Sequence, residues 1–208
     1  GALDLVYSRK TASSSTVSST LINGALGVMR QIGPGSFGSE VILPTSSTFL
    51  SKLVAVDITN DGKPDLVVID DATASISALQ NNSTPGNFSF VRSTLNIGTL
   101  RAGAIAVGDF NRDGKPDIAA AVYDSAAPSS SLYGDQLLLL QGNGDGTFSM
   151  VSGSMGLNPA PTNALRVADV NGDQNPDLVV VSNNYLSVFF GNGVFSSSTP
   201  PFTPANGY

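Results

Sequence analysis

The chain lacks two residue types on which much enzyme chemistry depends. Among its 208 residues there is no cysteine and no histidine. The absence of cysteine excludes disulfides, thiolate nucleophiles and Cys-ligated metals. The absence of histidine removes the commonest general base, and with it Ser-His and Cys-His mechanisms and the usual zinc sites. We therefore expect that the chain is not an enzyme and has no catalytic residues.

Charged residues are also scarce and unevenly divided. They make up 12% of the chain, about half of the usual share, and the formal net charge is −6. All acidic residues except Glu40 are Asp, which is typical of turns and loops rather than helices. This acidic balance argues against a nucleic-acid partner, which requires a basic surface. Membrane insertion is not expected either, because no apolar run approaches the roughly 20 residues that span a bilayer.

One acidic nonapeptide occurs three times, and we call its copies loop 1 ("DITNDGKPD", 57–65), loop 2 ("DFNRDGKPD", 109–117) and loop 3 ("DVNGDQNPD", 169–177). Short runs rich in Val and Ile flank each loop and predict strands, because they are too short for helices. A third run ends in a Gly/Asn turn, as in "QLLLLQGNGDGTF" at 136–148, and a weaker fourth run follows. Four antiparallel strands in about 50 to 60 residues are typical of a propeller blade.

The repeats divide a single predicted domain, residues 1–208, into four units of about 1–49, 50–98, 99–160 and 161–208. The first unit is incomplete, because "LDLVY" at 3–7 aligns with "PDLVV" at 64–68 and leaves only Asp4 of the acidic loop. The Pro-rich segment at 196–208 supplies no obvious replacement strand. The predicted fold is all-β, a propeller or partial propeller of about four blades with four antiparallel strands each.

The acidic loops have the composition of a cation site. Three carboxylates within nine residues raise one another's pKa values unless a cation neutralises them. Oxygen ligands at positions 1, 3 and 5 before a turn suit Ca²⁺, which tolerates irregular geometry, better than Mg²⁺. The pattern begins like an EF-hand but lacks the Glu at position 12 and the flanking helices. The alternative interpretation is an Asp/Asn/Gly turn that binds no metal.

The D-x-[DN]-x-D-G-x-P-D loop between strands, with the following G-N-G-x-G-x-F turn, resembles the FG-GAP/VCBS repeat of integrin α-chain propellers. The resemblance implies up to three Ca²⁺ ions, with the residue at position 7 acting through its carbonyl. Thr59 is a weaker neutral ligand and Gln174 replaces a turn Gly, so we expect loop 2 to bind Ca²⁺ best. The first unit keeps only Asp4 of the loop, and we expect it to bind no ion. The implied ligands are Asp57, Thr59, Asp61, Lys63 and Asp65; Asp109, Asn111, Asp113, Lys115 and Asp117; and Asp169, Asn171, Asp173, Asn175 and Asp177.

The resemblance also implies a secreted or cell-surface location and a non-catalytic role in adhesion or recognition of a protein or glycan, as in lectins that carry this repeat. A second hypothesis is a structural subunit of an extracellular assembly or fibre. A blade without its first strand has an open edge that invites strand exchange with another copy. A third is the propeller portion of a larger secreted carbohydrate-active enzyme, although nothing in this sequence supplies the chemistry.

Overall fold

The computed structural model of the chain describes residues 5–9, 25–44, 50–85, 87–124, 135–151, 155–157, 162–182, 185–195 and 201–205. All regular elements in these residues are strands, and none of them is a helix that could cross a membrane. The strands are β1 (Leu5–Arg9), β2 (Ala25–Met29), β3 (Gln31–Gly33), β4 (Ser36–Phe37), β5 (Val41–Pro44), β6 (Leu50–Val56), β7 (Asp65–Asp70), β8 (Ser75–Asn81), β9 (Phe90–Asn96), β10 (Leu100–Gly108), β11 (Asp117–Asp124), β12 (Asp135–Gly142), β13 (Phe148–Met150), β14 (Met155–Leu157), β15 (Thr162–Ala168), β16 (Asp177–Ser182), β17 (Tyr185–Gly191) and β18 (Phe202–Pro204).

The strands form four antiparallel sheets, each made of strands that are close in sequence. Sheet I has the order β1-β2-β5, sheet II β6-β7-β8-β9, sheet III β10-β11-β12-β13 with β14 also on β12, and sheet IV β15-β16-β17-β18. A separate hairpin, β3-β4, lies between β2 and β5 in the chain. The prediction of about four meandering units, the first with one strand fewer, is confirmed. Asp4, which the alignment assigns to the first unit, lies outside the described residues.

Neighbouring sheets contact each other in chain order. β1 of sheet I contacts β6, β6 contacts β10, and β10 contacts β15. The first strands of sheets II, III and IV thus lie side by side, which is the arrangement of blades in a propeller. The all-β, propeller-like fold is confirmed, although in the described part of the chain the sheets do not close into a ring.

Three apolar cores lie between successive sheets. Strand β11 of sheet III does not alternate apolar and polar residues, because both of its faces are covered. Ile118, Ala120 and Val122 pack towards sheet II, whereas Ala119 and Ala121 pack towards sheet IV. Successive residues of a strand point to opposite faces, so a strand covered on both faces reads as one continuous apolar run. A third core, around Leu26 and Leu66, joins sheets I and II.

The C-terminal segment contains the fourth strand that was predicted for the unit at 161–208. Strand β18 pairs with β17 through Phe202 and Gly191, and it completes sheet IV rather than replacing the missing strand of sheet I. Phe202 is only 1% exposed, and its ring meets that of Phe110 edge-to-face, with centroids 5.4 Å apart. Pro204 is tolerated because an edge strand does not need every amide as a donor.

Candidate metal centre

Each acidic loop joins the first strand of a sheet to the second. Loop 1 connects β6 to β7, loop 2 connects β10 to β11, and loop 3 connects β15 to β16; in each case the position-9 Asp is the first residue of the second strand. The flanking strands are paired up to the loop, as between Val56 and Asp65. All three loops therefore leave equivalent corners of successive sheets.

The backbone of each loop turns through two residues with positive φ, at positions 4 and 6. In loop 2 these are Arg112 (61°) and Gly114 (83°), and in loop 3 they are Gly172 (80°) and Gln174 (69°). Loop 3 therefore forms the same left-handed turn as loop 2, but its glycine is at position 4, whereas the glycine of loop 2 is at position 6. A non-Gly residue in this region costs roughly 1–2 kcal/mol, so each of these two loops carries one such cost, and Gln174 does not change the path of loop 3.

The position-1 carboxylate holds the turn together. Asp109 accepts hydrogen bonds from the amides of Asp113 (3.0 Å) and Gly114 (2.9 Å). Asp57 accepts from the amides of Asp61 (3.2 Å) and Gly62 (2.8 Å) in the same way. In loop 3, Asp169 accepts from the amides of Gly172 and Gln174, at positions 4 and 6 instead of 5 and 6. The loops are thus wrapped around their first carboxylate.

Positions 3 and 5 are linked in loops 2 and 3 but not in loop 1. In loop 2 the Asn111 side-chain oxygen accepts from the Asp113 amide (3.0 Å), and its Nδ2 donates to the Asp113 carboxylate (2.9 Å). Loop 3 repeats both bonds between residues 171 and 173. Thr59 instead donates to Asp65 at 3.3 Å. Loop 1 therefore departs from the other two at the residue that the sequence marked as the weaker ligand.

The position-9 carboxylate is buried and ties the loop to the third strand. Asp117 is fully buried and accepts hydrogen bonds from the amides of Phe110 (3.0 Å) and Gly142 (2.9 Å). Asp65 and Asp177 are equally buried and accept the equivalent pairs of amides in sheets II and IV. We call this arrangement the aspartate clamp.

Glycine is required opposite the clamp in two sheets. A Cβ on Gly142 would lie 2.1 Å from the carbonyl oxygen of Pro116, and one on Gly191 would lie 2.2 Å from that of Pro176. Sheet II has Asn81 at this position, and its Nδ2 donates to the carbonyl of the corresponding proline at 2.9 Å. From the sequence alone, the Gly-Asn motif here predicts only a turn. No fixed spacing signals the second role, because the glycine follows the position-9 Asp by 25 residues in sheet III and by 14 in sheet IV.

The pKa values of the position-5 and position-9 carboxylates of loop 2 are shifted in opposite directions. Partial desolvation acts to raise the pKa of Asp113, but hydrogen bonds from Asn111, the Lys115 amide and Gln141 outweigh it and hold the pKa below its ordinary value. Burial raises the pKa of Asp117 to about 6, against hydrogen bonds from two amides. In loop 3 the Asn175 amide and the Asn171 side chain lower the pKa of Asp173. The lowered pKa values keep Asp113 and Asp173 charged at neutral pH.

Adjacent loops also touch. Asn60 of loop 1 donates to the carbonyl of Gly114 in loop 2 at 2.7 Å. Arg112, at the same position of loop 2, donates to the side-chain oxygen of Asn175 in loop 3 at 3.3 Å. The three loops thus form one continuous exposed row. Gln141 adds a contact to Asp113 at 3.2 Å, which the sequence analysis did not assign.

The loops fit Ca²⁺ in donor chemistry. In the described residues no three acidic side chains come together as a metal cluster. This agrees with the loop geometry, because the position-9 carboxylate is directed inwards to its two amides. Positions 1, 3 and 5 supply only oxygen ligands, and a carboxylate oxygen that accepts one amide retains a further lone pair. These side chains and the position-7 carbonyl are the residues that would hold a hard cation.

The comparison with protein families agrees with the repeat seen in the sheets. Residues 57–120 match the family described as FG-GAP-like repeat, a range that runs from loop 1 into β11. No curated protein matches the chain. The resemblance to FG-GAP-type repeats is thereby confirmed.

Proposed function

We propose that this chain, which carries an FG-GAP-type repeat, is a non-catalytic extracellular propeller module that binds Ca²⁺ and recognises a protein or glycan. The observation that carries the proposal is the equivalent placement of three acidic loops, each wrapped around its position-1 carboxylate. Such repetition is not needed to close a turn, because Asn-Gly or Asp-Gly does that with at most one carboxylate.

The distribution of charge supports calcium as the cation. Nine of the 16 acidic residues lie in the three loops. Removal of these nine leaves 7 acidic residues against 10 basic ones, so the net charge of −6 arises in the loops. Three bound Ca²⁺ ions would add six positive charges and cancel it. The acid therefore serves as ligand charge and not as a field for cationic partners.

The ion in each loop would have a structural role. A cation shared by positions 1, 3 and 5 would crosslink a loop that already ties the first strand to the third through the aspartate clamp. Sites made from short exposed loops suit the millimolar calcium found outside cells. Because no histidine or cysteine is present, the chain's own contribution would be binding rather than group transfer or hydrolysis.

Calorimetric titration of the EDTA-treated chain with CaCl₂ tests the metal proposal. We expect three ions per chain and a higher melting temperature in Ca²⁺ than in EDTA, since a ligand that binds only the folded state stabilises it. Asp113→Asn should reduce the stoichiometry by one. Asp145→Asn is the matched control, because Asp145 is an exposed turn residue outside the three loops. Absence of binding, together with unchanged melting in EDTA, would contradict the proposal.

The recognition role requires its own test. The labelled chain, loaded with Ca²⁺, would be applied to a glycan array and to immobilised extracellular matrix proteins, with the EDTA-treated chain as the control. We expect binding that EDTA reduces, because the loops form one exposed row that the ions would rigidify. If the chain binds Ca²⁺ but binds nothing on the glycan array or the matrix proteins, the metal proposal is retained and the recognition role is refuted.

A second candidate, an assembly subunit, is favoured by the composition of sheet I. Among the residues that the structure describes, this sheet has three strands where sheets II and IV have four, and β1 is at its edge. An edge strand presents free backbone donors and acceptors, and a strand from another chain satisfies them by strand addition. Light scattering that finds only monomers at all concentrations would exclude this candidate.

A further inference from the structure

The three acidic loops contain different numbers of basic residues. Each loop has three aspartates, but loop 1 also has Lys63, loop 2 has Arg112 and Lys115, and loop 3 has no basic residue. With one, two and no positive charges against three negative ones, the formal charges of the loops are −2, −1 and −3. Counted by sequence, only loop 1 therefore matches the charge of one divalent cation.

In loops 1 and 2 the lysine at position 7 acts on the position-5 aspartate. The Nζ of Lys63 is 3.6 Å from Oδ2 of Asp61. In loop 2 hydrogen bonds outweigh the desolvation of Asp113 and lower its pKa, and the charge of Lys115 acts in the same direction. Each of these two carboxylates thus has a basic side chain of its own loop to compensate it.

Loop 3 has Asn175 at position 7, and its compensating charge comes from loop 2. Nη1 of Arg112 donates to Oδ1 of Asn175 at 3.3 Å. The stem of Arg112 lies along sheet IV, because a Cβ on Gly193, in the turn after β17, would be 3.1 Å from its Cδ. The Asn175 amide is the main cause of the lowered pKa of Asp173, and the charge of Arg112 adds to it. The guanidinium of loop 2 therefore lies at loop 3.

Position 4 of one loop complements position 7 of the next loop. Loop 2 has its own Lys115, and the residue that contacts it from loop 1 is the neutral Asn60, which donates to the Gly114 carbonyl. Loop 3 has the neutral Asn175, and the residue that contacts it is Arg112. When Arg112 is counted with loop 3, each loop has a charge of −2. Outside the loops the chain has seven acidic and seven basic residues, so these three charges make up the whole net charge of −6.

We propose that Arg112 is a charge-compensating residue that sets the cation affinity of loop 3 from the neighbouring loop. The inference rests on the calcium proposal above and names a residue that regulates one of its sites. The net charge of the ligands is one of the properties that tune the affinity of a Ca²⁺ loop. Arg112 reduces that charge in loop 3, and its place is set by the turn of loop 2, in which it has a φ of 61°.

The expected effect follows from Coulomb's law and its dependence on salt. A unit charge about 10 Å from a divalent ion, at an effective dielectric constant of about 40–80, changes the affinity by about three- to tenfold in 10 mM salt. In 1 M salt the Debye length is about 3 Å, and the effect should fall below about 1.5-fold. Removal of Arg112 should therefore tighten Ca²⁺ binding at loop 3, and high salt should cancel the gain.

Calorimetric titration of a full-length chain that keeps only loop 3 as a site tests the inference. Asp61→Asn and Asp113→Asn remove a position-5 ligand from each of the other loops and define this background. Adding Arg112→Asn should lower the Kd for Ca²⁺ by about three- to tenfold in 10 mM NaCl and by less than about 1.5-fold in 1 M NaCl. Asparagine is suitable because Asn60 has this position in loop 1 with a φ of 57°.

Two further variants of the background chain separate charge from contact. Lys52→Gln is the matched control, because it removes the same charge from an exposed position on β6 of sheet II, two sheets away from loop 3. It should change the Kd by less than about 1.5-fold. Asn175→Lys, added to Arg112→Asn, gives loop 3 the lysine that loops 1 and 2 have at position 7. It should return the Kd to within about twofold of the background value.

The outcomes distinguish this inference from the calcium proposal. If the wild type binds no Ca²⁺, both are refuted. If the wild type binds Ca²⁺ but the background chain does not, or if Arg112→Asn leaves the Kd in 10 mM NaCl unchanged, the inference alone is wrong. A gain in affinity that persists in 1 M NaCl, or an equal gain from Lys52→Gln, would also overturn it, because neither fits a local charge at loop 3.

Discussion

Substitution of Gly142 by alanine gives a direct test of the aspartate clamp. At positions with ordinary φ, replacement of glycine by alanine normally stabilises a protein by about 0.4–1 kcal/mol, since it restricts the unfolded chain. Gly142 is in a strand, so without the clamp the variant should be slightly more stable than the wild type. The structure instead predicts that Gly142→Ala is less stable than the wild type.

The expected loss follows from the distances around Gly142. The new Cβ would lie 2.1 Å from the Pro116 carbonyl oxygen, so the strand and the loop must separate by roughly 1 Å to restore a van der Waals contact. That movement breaks the 2.9 Å bond from the Gly142 amide to Asp117, a hydrogen bond to a carboxylate worth about 1.5–3 kcal/mol. Overpacking adds about 1–3 kcal/mol. The total is a destabilisation of about 2.5–6 kcal/mol.

Urea and thermal unfolding in EDTA provide the assay, because the clamp needs no cation. For a chain of this size the loss corresponds to a fall in melting temperature of about 2–4 °C per kcal/mol. Gly156→Ala is the control, as a Cβ there meets nothing within 4 Å. Asn81 occupies the equivalent position in sheet II and its amide still donates to Asp65 at 2.6 Å, so sheet II accommodates a Cβ for which the Pro116 carbonyl leaves no room in sheet III. If Gly142→Ala is as stable as Gly156→Ala, the clamp is not a determinant of stability.

Three further predictions use the same unfolding measurements. Gly191→Ala should lose stability as Gly142→Ala does, because its Cβ would lie 2.2 Å from the Pro176 carbonyl; a neutral result would contradict the repeat of the clamp. In EDTA the stabilisation from protonated Asp117 should be complete below pH 3.8 and lost as pH rises through about 6. Asp117→Asn should flatten that pH dependence. An unchanged profile in the variant would refute the raised pKa of Asp117. Phe202→Ala should cost about 3–5 kcal/mol; a loss below 1 kcal/mol would show that β18 contributes little.

The features that the sequence predicted are those set by local pattern. The nonapeptides lie between runs of Val, Ile, Leu and Ala, so strand, loop and strand follow from composition and spacing alone. Three in-phase copies then predicted sheets II, III and IV, because each copy marks the step from a first strand to a second. The incomplete first sheet followed from the same alignment, and its order β1-β2-β5 agrees with it.

The position of the fourth strand of sheet IV depends on a contact distant in the chain. β18 has two prolines beside it and a third within it, which locally disfavours a strand. It forms because Phe202 is buried against Phe110, a residue of loop 2 that is 92 positions earlier in the chain. Within the nonapeptide of loop 3, Gly172 and Gln174 take the two positive-φ positions of the turn. The contact between Phe110 and Phe202, in contrast, is not visible in a window of nine residues.

The position-9 aspartate shows why ligand and scaffold roles are hard to separate from sequence. Asp109, Asp113 and Asp117 look equivalent in the nonapeptide, yet the first accepts two amides of its own turn and the last accepts amides from the loop and from β12. The charge of Asp117 is costly when buried, and its raised pKa records that cost. A cation beside Asp113 would lower the pKa of Asp117 as well. The same carboxylate would then join metal binding to the attachment of the third strand, and loss of the ion would loosen the sheet as well as the loop.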